Sequence, residues 1–136
     1  MVTRRGSVLA VTSQLPWPLD TGGHLRSFHL LKAVASRFEV RLVASVREQD
    51  RRHLDTFERA DIRVIPATLG RRTVPVESVR AVAAALVREP YVLYRRHNHQ
   101  AMHRLVASEV ARASPDILYL DHLDSFLFAR HNAGSR

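Results

Sequence analysis

Ser7-Val8-Leu9-Ala10-Val11-Thr12-Ser13 is followed by Gln14-Leu15-Pro16-Trp17-Pro18-Leu19-Asp20-Thr21-Gly22-Gly23 and then by His24-Leu25-Arg26. The first block is short, apolar and rich in β-branched residues, which reads as a buried strand. The second holds two prolines and two glycines in ten residues and reads as a loop. From His24 the period changes. Leu25, Phe28, Leu31, Val34 or Ala35, and Phe38 recur at steps of three and four, the spacing of one helix face. Asp20 or Thr21 can cap that helix, and Arg37 sits where the C-terminal dipole favours a cation.

The alternation continues downstream. Residues 38–44 form a second strand, and a polar helix over about 49–59 turns Leu54, Phe57 and Ala60 inward. Residues 61–66 form a third strand that Pro66 stops, and 67–76 form a basic loop containing Gly70-Arg71-Arg72. A helix over about 77–88 ends before Pro90. Another over about 98–113 carries Met102, Leu105, Val106 and Val110 on one side and ends at Ser114-Pro115. Residues 116–120 form a fourth strand, and 122–130 one or two more helical turns. Strands alternating with helices, with nearly continuous apolar strand cores, predict an α/β fold: a doubly wound, Rossmann-like parallel sheet with helices on both faces. Ligands of such sheets bind beyond the carboxyl ends of the strands, so the loops after residues 13, 46, 66 and 121 share the functional rim.

Length and composition bound the rest. The chain has 136 residues, 46% apolar, enough for one domain with a real core and too apolar for disorder. It has no cysteine, which excludes disulfides, thiol nucleophiles and cysteine-based zinc sites. The formal charge is +8, with 20 of the 21 basic residues being Arg and each half of the chain carrying +4. Nucleic-acid binders concentrate such charge on one face, so no nucleic-acid partner is expected. No run approaches the ~20 apolar residues that a membrane span needs. The apolar stretch near the start is too short, and lacks the cleavage site, for a secretory signal.

At the rim, Asp20-Thr21-Gly22-Gly23-His24-Leu25-Arg26 is the strongest feature. Helix-start amides plus the dipole suit phosphate, and Arg26, one turn in, can add a charge-assisted bond. The bland reading is a glycine pair that only permits a sharp turn. Neither G-x-G-x-x-G nor G-x-x-x-x-G-K-[ST] is present, and Gln14-Leu15 and Pro66-Ala67-Thr68 stand where a phosphoacceptor receiver needs acids. His97, His99 and His103 suggest metal by spacing, but Gln100 replaces the general base of a zinc protease, so no metal is expected. Asp121-His122, at the end of the fourth strand, can bind sugar hydroxyls or move a proton; alternatively Asp121 caps the next helix and His122 faces solvent. Trp17, between two prolines, can stack on an acceptor or cover the sheet edge.

The run Pro16-Trp17-Pro18-Leu19-Asp20-Thr21-Gly22-Gly23-His24-Leu25-Arg26, with Leu30-Leu31-Lys32-Ala33 and Phe38-Glu39-Val40-Arg41-Leu42 behind it, resembles the start of family 4 glycosyltransferases of the GT-B fold. Pro90-Tyr91 and Pro115-Asp116-Ile117-Leu118-Tyr119-Leu120-Asp121-His122-Leu123 resemble later parts of the same domain. The resemblance implies a retaining enzyme that moves a sugar from a nucleotide-sugar donor to a glycan, lipid or small-molecule acceptor, without a metal or other cofactor. It implies that Gly22 and Gly23, with Arg26, face the donor diphosphate, that Trp17 and Asp20 lie on the acceptor side, and that Asp121 or His122 is the catalytic position. The six Glu include no pair eight apart, the family's mark of a C-terminal donor domain. Residues 1–136 therefore read as a partial N-terminal, acceptor-side domain without its donor domain, inactive alone. A cytoplasmic location is expected, with peripheral contact at the inner membrane face through Arg51, Arg52, Arg71 and Arg72 as a further expectation. The rival readings are a stand-alone flavodoxin-like module for a small phosphorylated ligand and the product of a truncated frame.

Overall fold

The computed structural model describes residues 5–69, 74–88 and 99–129. Four strands, β1 (Ser7–Thr12), β2 (Glu39–Ser45), β3 (Ile62–Ala67) and β4 (Ile117–Leu120), form one sheet in the order β3-β2-β1-β4. Every pairing is parallel, with Val8 opposite both Val40 and Ile117. The order reverses between β1 and β4, which makes their carboxyl ends the switch point of a doubly wound sheet.

All of β1 is buried because both faces are covered. Val8 and Ala10 pack with Val40, Leu42 and Ala44 against α1 (Gly22–Ala35) and α2 (Leu54–Glu58), through Phe28, Leu31, Ala35 and Phe57. Leu9, Val11 and Val43 face the other way, onto Met102, Val106 and Phe128 of α4 (Gln100–Ala113) and α5 (Phe126–Ala129). The remaining helix, α3 (Val74–Leu86), lies between β3 and α4 in sequence. Arg41 points to the α4 side of β2 and is buried, its Nη1 3.3 Å from Glu109 Oε2, with Arg112 holding the same carboxylate at 2.6 Å. Asp116 joins the starts of β1 and β4, accepting from the Ser7 amide at 2.8 Å and the Ser7 hydroxyl at 3.0 Å.

Several boundaries differ from the periodicity reading, each for a local reason. Gly22 and Gly23 belong to the first turn of α1, because Thr21 is the cap and its hydroxyl accepts from the His24 amide at 3.2 Å. The polar helix begins as a 3-10 segment, Glu48–His53, before α2. Pro66 lies inside β3; this edge strand pairs on one side only and tolerates a missing donor. The helix after the basic loop begins at Val74, since Pro75 suits a first turn. Ser114 ends α4 in the left-handed region, at φ 41°. Residues 89–98, with Pro90-Tyr91 and His97, lie outside the described residues, as do Arg71 and Arg72.

Candidate functional site

The switch point is an open cleft of about 290 Å³. Thr12, Ser13, Gln14 and Pro16 enter it from the end of β1, His24 and Ser27 from the start of α1, and Asp121 through Asp124 from the end of β4. No lysine or arginine lines it.

Asp121 anchors one wall. Its carboxylate is 1% exposed; Oδ1 accepts from Arg26 Nη2 at 2.9 Å and from the Tyr119 hydroxyl at 3.1 Å, and Oδ2 accepts from the Ser27 hydroxyl. The Asp121 amide donates to Val11 O at 3.0 Å, tying the end of β4 to β1. Tyr119 titrates above the ordinary phenol range, chiefly because it is buried and secondly because the Asp121 charge opposes a phenolate; Arg26 offsets part of this.

His122 follows in a backbone conformation, φ 71° and ψ 154°, that is essentially reserved for glycine. Such a conformation costs ~1–3 kcal/mol and persists only where surrounding bonds over-determine it. Those bonds are present. The Asp121 side chain holds α1, and the Ser125 hydroxyl reaches the carbonyls of Asp121 at 2.7 Å and His122 at 2.8 Å, on either side of the strained residue. The His122 imidazole is 44% exposed, with Nε2 3.5 Å from both Ser27 Oγ and Asp121 Oδ2.

Two polar atoms of the lining, Thr12 Oγ1 and Asp124 Oδ1, are buried and have no partner among the described residues. Buried polar atoms are nearly always hydrogen-bonded, so a pair of orphans on one cleft marks places for a ligand's hydroxyls or amides. His24 adds an acceptor: Nδ1 lies 2.7 Å from Pro18 O, so the neutral ring donates there and leaves Nε2 unprotonated.

The glycines adjoin this wall without lining it. A Cβ on Gly23 would lie 3.8 Å from His122 Cε1, whereas one on Gly22 would meet nothing within 4 Å. The His24 amide is taken by Thr21 Oγ1 and the Leu25 amide by Thr21 O, while the Gly22 and Gly23 amides take no partner among the described residues. Arg26 reaches Asp121 with one nitrogen, its side chain 59% exposed. Asp20 is exposed, 3.6 Å from His24 Nδ1. Trp17 is half-buried and packs edge-on to Phe28 at 6.0 Å and Phe57 at 6.2 Å, and tilted against His53 at 5.4 Å. His103 sits edge-on to Phe128 at 5.0 Å, and no cluster among the described residues could hold a metal ion.

Sequence reasoning passed over Thr12, Ser13, Gln14, Ser27, Tyr119 and Asp124. A signal existed for Ser27, a polar residue one position from Phe28 on a face that has to be buried. Thr12 carried none, because a hydroxyl at a strand end has many uses. No family model, no curated protein and no solved structure matches this chain.

Proposed function

We propose that the chain supplies the acceptor-side half of a sugar-transfer site, in which a retaining glycosyltransferase moves a sugar from a nucleotide-sugar donor to a glycan, lipid or small-molecule acceptor. The observation that carries this reading is the pairing of orphaned Thr12 Oγ1 and Asp124 Oδ1 on a cleft that holds no cationic side chain. A carboxylate acceptor, a hydroxyl and two imidazoles suit the hydroxyls of a neutral sugar, and they would repel or ignore a bare phosphate.

Each residue then has a distinct task. His122, half-exposed over the cleft, offers an imidazole to a sugar hydroxyl. Asp121 is a positioning residue, because both of its oxygens are occupied and it is closed to solvent. The diphosphate lies at the rim, where the Gly22 and Gly23 amides meet the negative charge that grows as the sugar leaves; a preorganised donor of this kind is worth ~3–4 kcal/mol. The nucleotide-sugar is a substrate, the reading uses no metal or cofactor, and a second, donor-holding domain completes the cleft.

Titration calorimetry of the chain with a simple methyl glycoside, inorganic pyrophosphate and a uridine diphosphate sugar tests this. Asp124→Asn and Thr12→Val are expected to weaken the glycoside about tenfold each, the loss of one hydrogen bond at ~1.4 kcal/mol. Gly23→Val, whose Cβ has room, should weaken pyrophosphate alone. Glycoside binding that is absent, or unchanged in both cleft variants, overturns the reading. The second reading, a self-contained module for a small phosphorylated ligand, draws on the free Gly22 and Gly23 amides beside a cleft formed wholly within one chain. Tight pyrophosphate binding with no glycoside response selects it.

A further inference from the structure

Helix α3 is inside out. Its inward side carries Ala84, fully buried, with Glu77 and Arg80 half-buried and 3.9 Å apart. Its outward side carries Val79, Val82 and Leu86 at 69%, 61% and 81% exposure, flanked by Val76 and Val87, and a shallow apolar groove runs between Val79, Val82, Ala83 and Leu86. A surface helix normally shows the reverse order, because leaving three large apolar side chains in water forfeits most of the gain from forming an amphipathic element. A contiguous exposed stripe marks a docking face.

Charge identifies the occupant. Residues 69–96 contain six arginines and two glutamates, a net +4, whereas residues 97–136 contain four residues of each sign. Half of the chain's +8 is thus concentrated in the segment that contains this helix, and Arg88 stands exposed just past its end. No helix among the described residues is long and apolar enough to cross a membrane, so any lipid contact must be lateral. A second copy of the chain would be repelled by the same positive charge. A single stripe on a helix of about 20 Å also covers far less than the ~800 Å² per partner of a stable protein interface. We propose that α3 docks in the plane of an anionic lipid surface, with Val79, Val82 and Leu86 entering the headgroup–acyl boundary and the surrounding arginines meeting lipid phosphates. This does not rest on the sugar-transfer reading.

Flotation of the full chain with vesicles is the test. Vesicles of phosphatidylcholine with phosphatidylglycerol should capture it, phosphatidylcholine alone should capture little, and raised salt should release it. Replacing Val79, Val82 and Leu86 together by Ser should weaken capture by roughly tenfold or more while far-UV circular dichroism is unchanged, since all three side chains lie outside the core. Arg88→Gln should weaken only capture by anionic vesicles. The proposal is overturned if the wild-type chain stays free of anionic vesicles, or if the triple variant binds as well as wild type. It is equally overturned if sedimentation shows a dimer that the triple variant separates, which would assign the stripe to a second copy.

Discussion

Replacing Asp121 by Ala should loosen the joint between the two halves of the sheet. Asp121 is 1% exposed and receives three donors, from Arg26, Tyr119 and Ser27. Arg26 is more than half exposed and recovers its loss in water, contributing ~0–1 kcal/mol. Ser27, 1% exposed, cannot, and a buried hydroxyl left unpaired costs ~1–3 kcal/mol. Removing a desolvated carboxylate returns part of this, so a net loss of about 2–3 kcal/mol is expected. In a chain of this size that corresponds to a melting point roughly 6–12 °C lower. Asp121→Asn, which keeps an acceptor at Oδ1, should lose about half as much. Urea unfolding followed by fluorescence measures it directly, because Trp17 is the single tryptophan and packs on Phe28 and Phe57. A change below ~0.5 kcal/mol for Asp121→Ala would refute the reasoning, since surface substitutions alone fall in that range.

Three further outcomes are expected. Glu109→Ala strands Arg41 in the core and should cost ~3–5 kcal/mol by the same urea measurement, whereas replacing both residues by apolar ones of similar volume should cost far less. His122→Gly should raise the unfolding free energy by ~1 kcal/mol or more, because glycine adopts φ 71°, ψ 154° without strain; the gain should be absent if that backbone relaxes in solution. Tyr119 should ionise above the ordinary phenol range in the folded chain, and Asp121→Asn should lower its titration point. Its raised pKa means the native state holds the proton longer than the unfolded chain does. The resulting stability is present in full below the unfolded phenol pKa and disappears as pH rises through the folded one, readable from phenolate absorbance and alkaline unfolding.

The sheet was legible because its signal is local. Ser7–Thr12 is apolar at every position that matters, Phe28, Leu31 and Ala35 keep one helix face, and the alternation of strand and helix admits few topologies. The glycine pair was legible as a rim feature, but its place within the first turn of α1 depended on Thr21 capping the helix one residue before it. The inverted polarity of α3 was not legible at all. Its apolar residues match a helix period whether that face turns inward or outward, and only coordinates distinguish the two.

Residue order by itself determined the parallel α/β architecture, the rim on which ligands are met, and Asp121-His122 as neighbours at the end of a strand. These follow from periodicity and chain direction, which act within a few residues. Tertiary structure alone decided that Arg26, Ser27 and Tyr119 converge on Asp121, that His122 is held in a glycine-like conformation, and that Thr12 and Asp124 keep unpartnered oxygens on one cleft. The physical reason is that Ser27 and Asp121 lie 94 residues apart, and whether a polar atom is paired depends on which distant groups share its burial site.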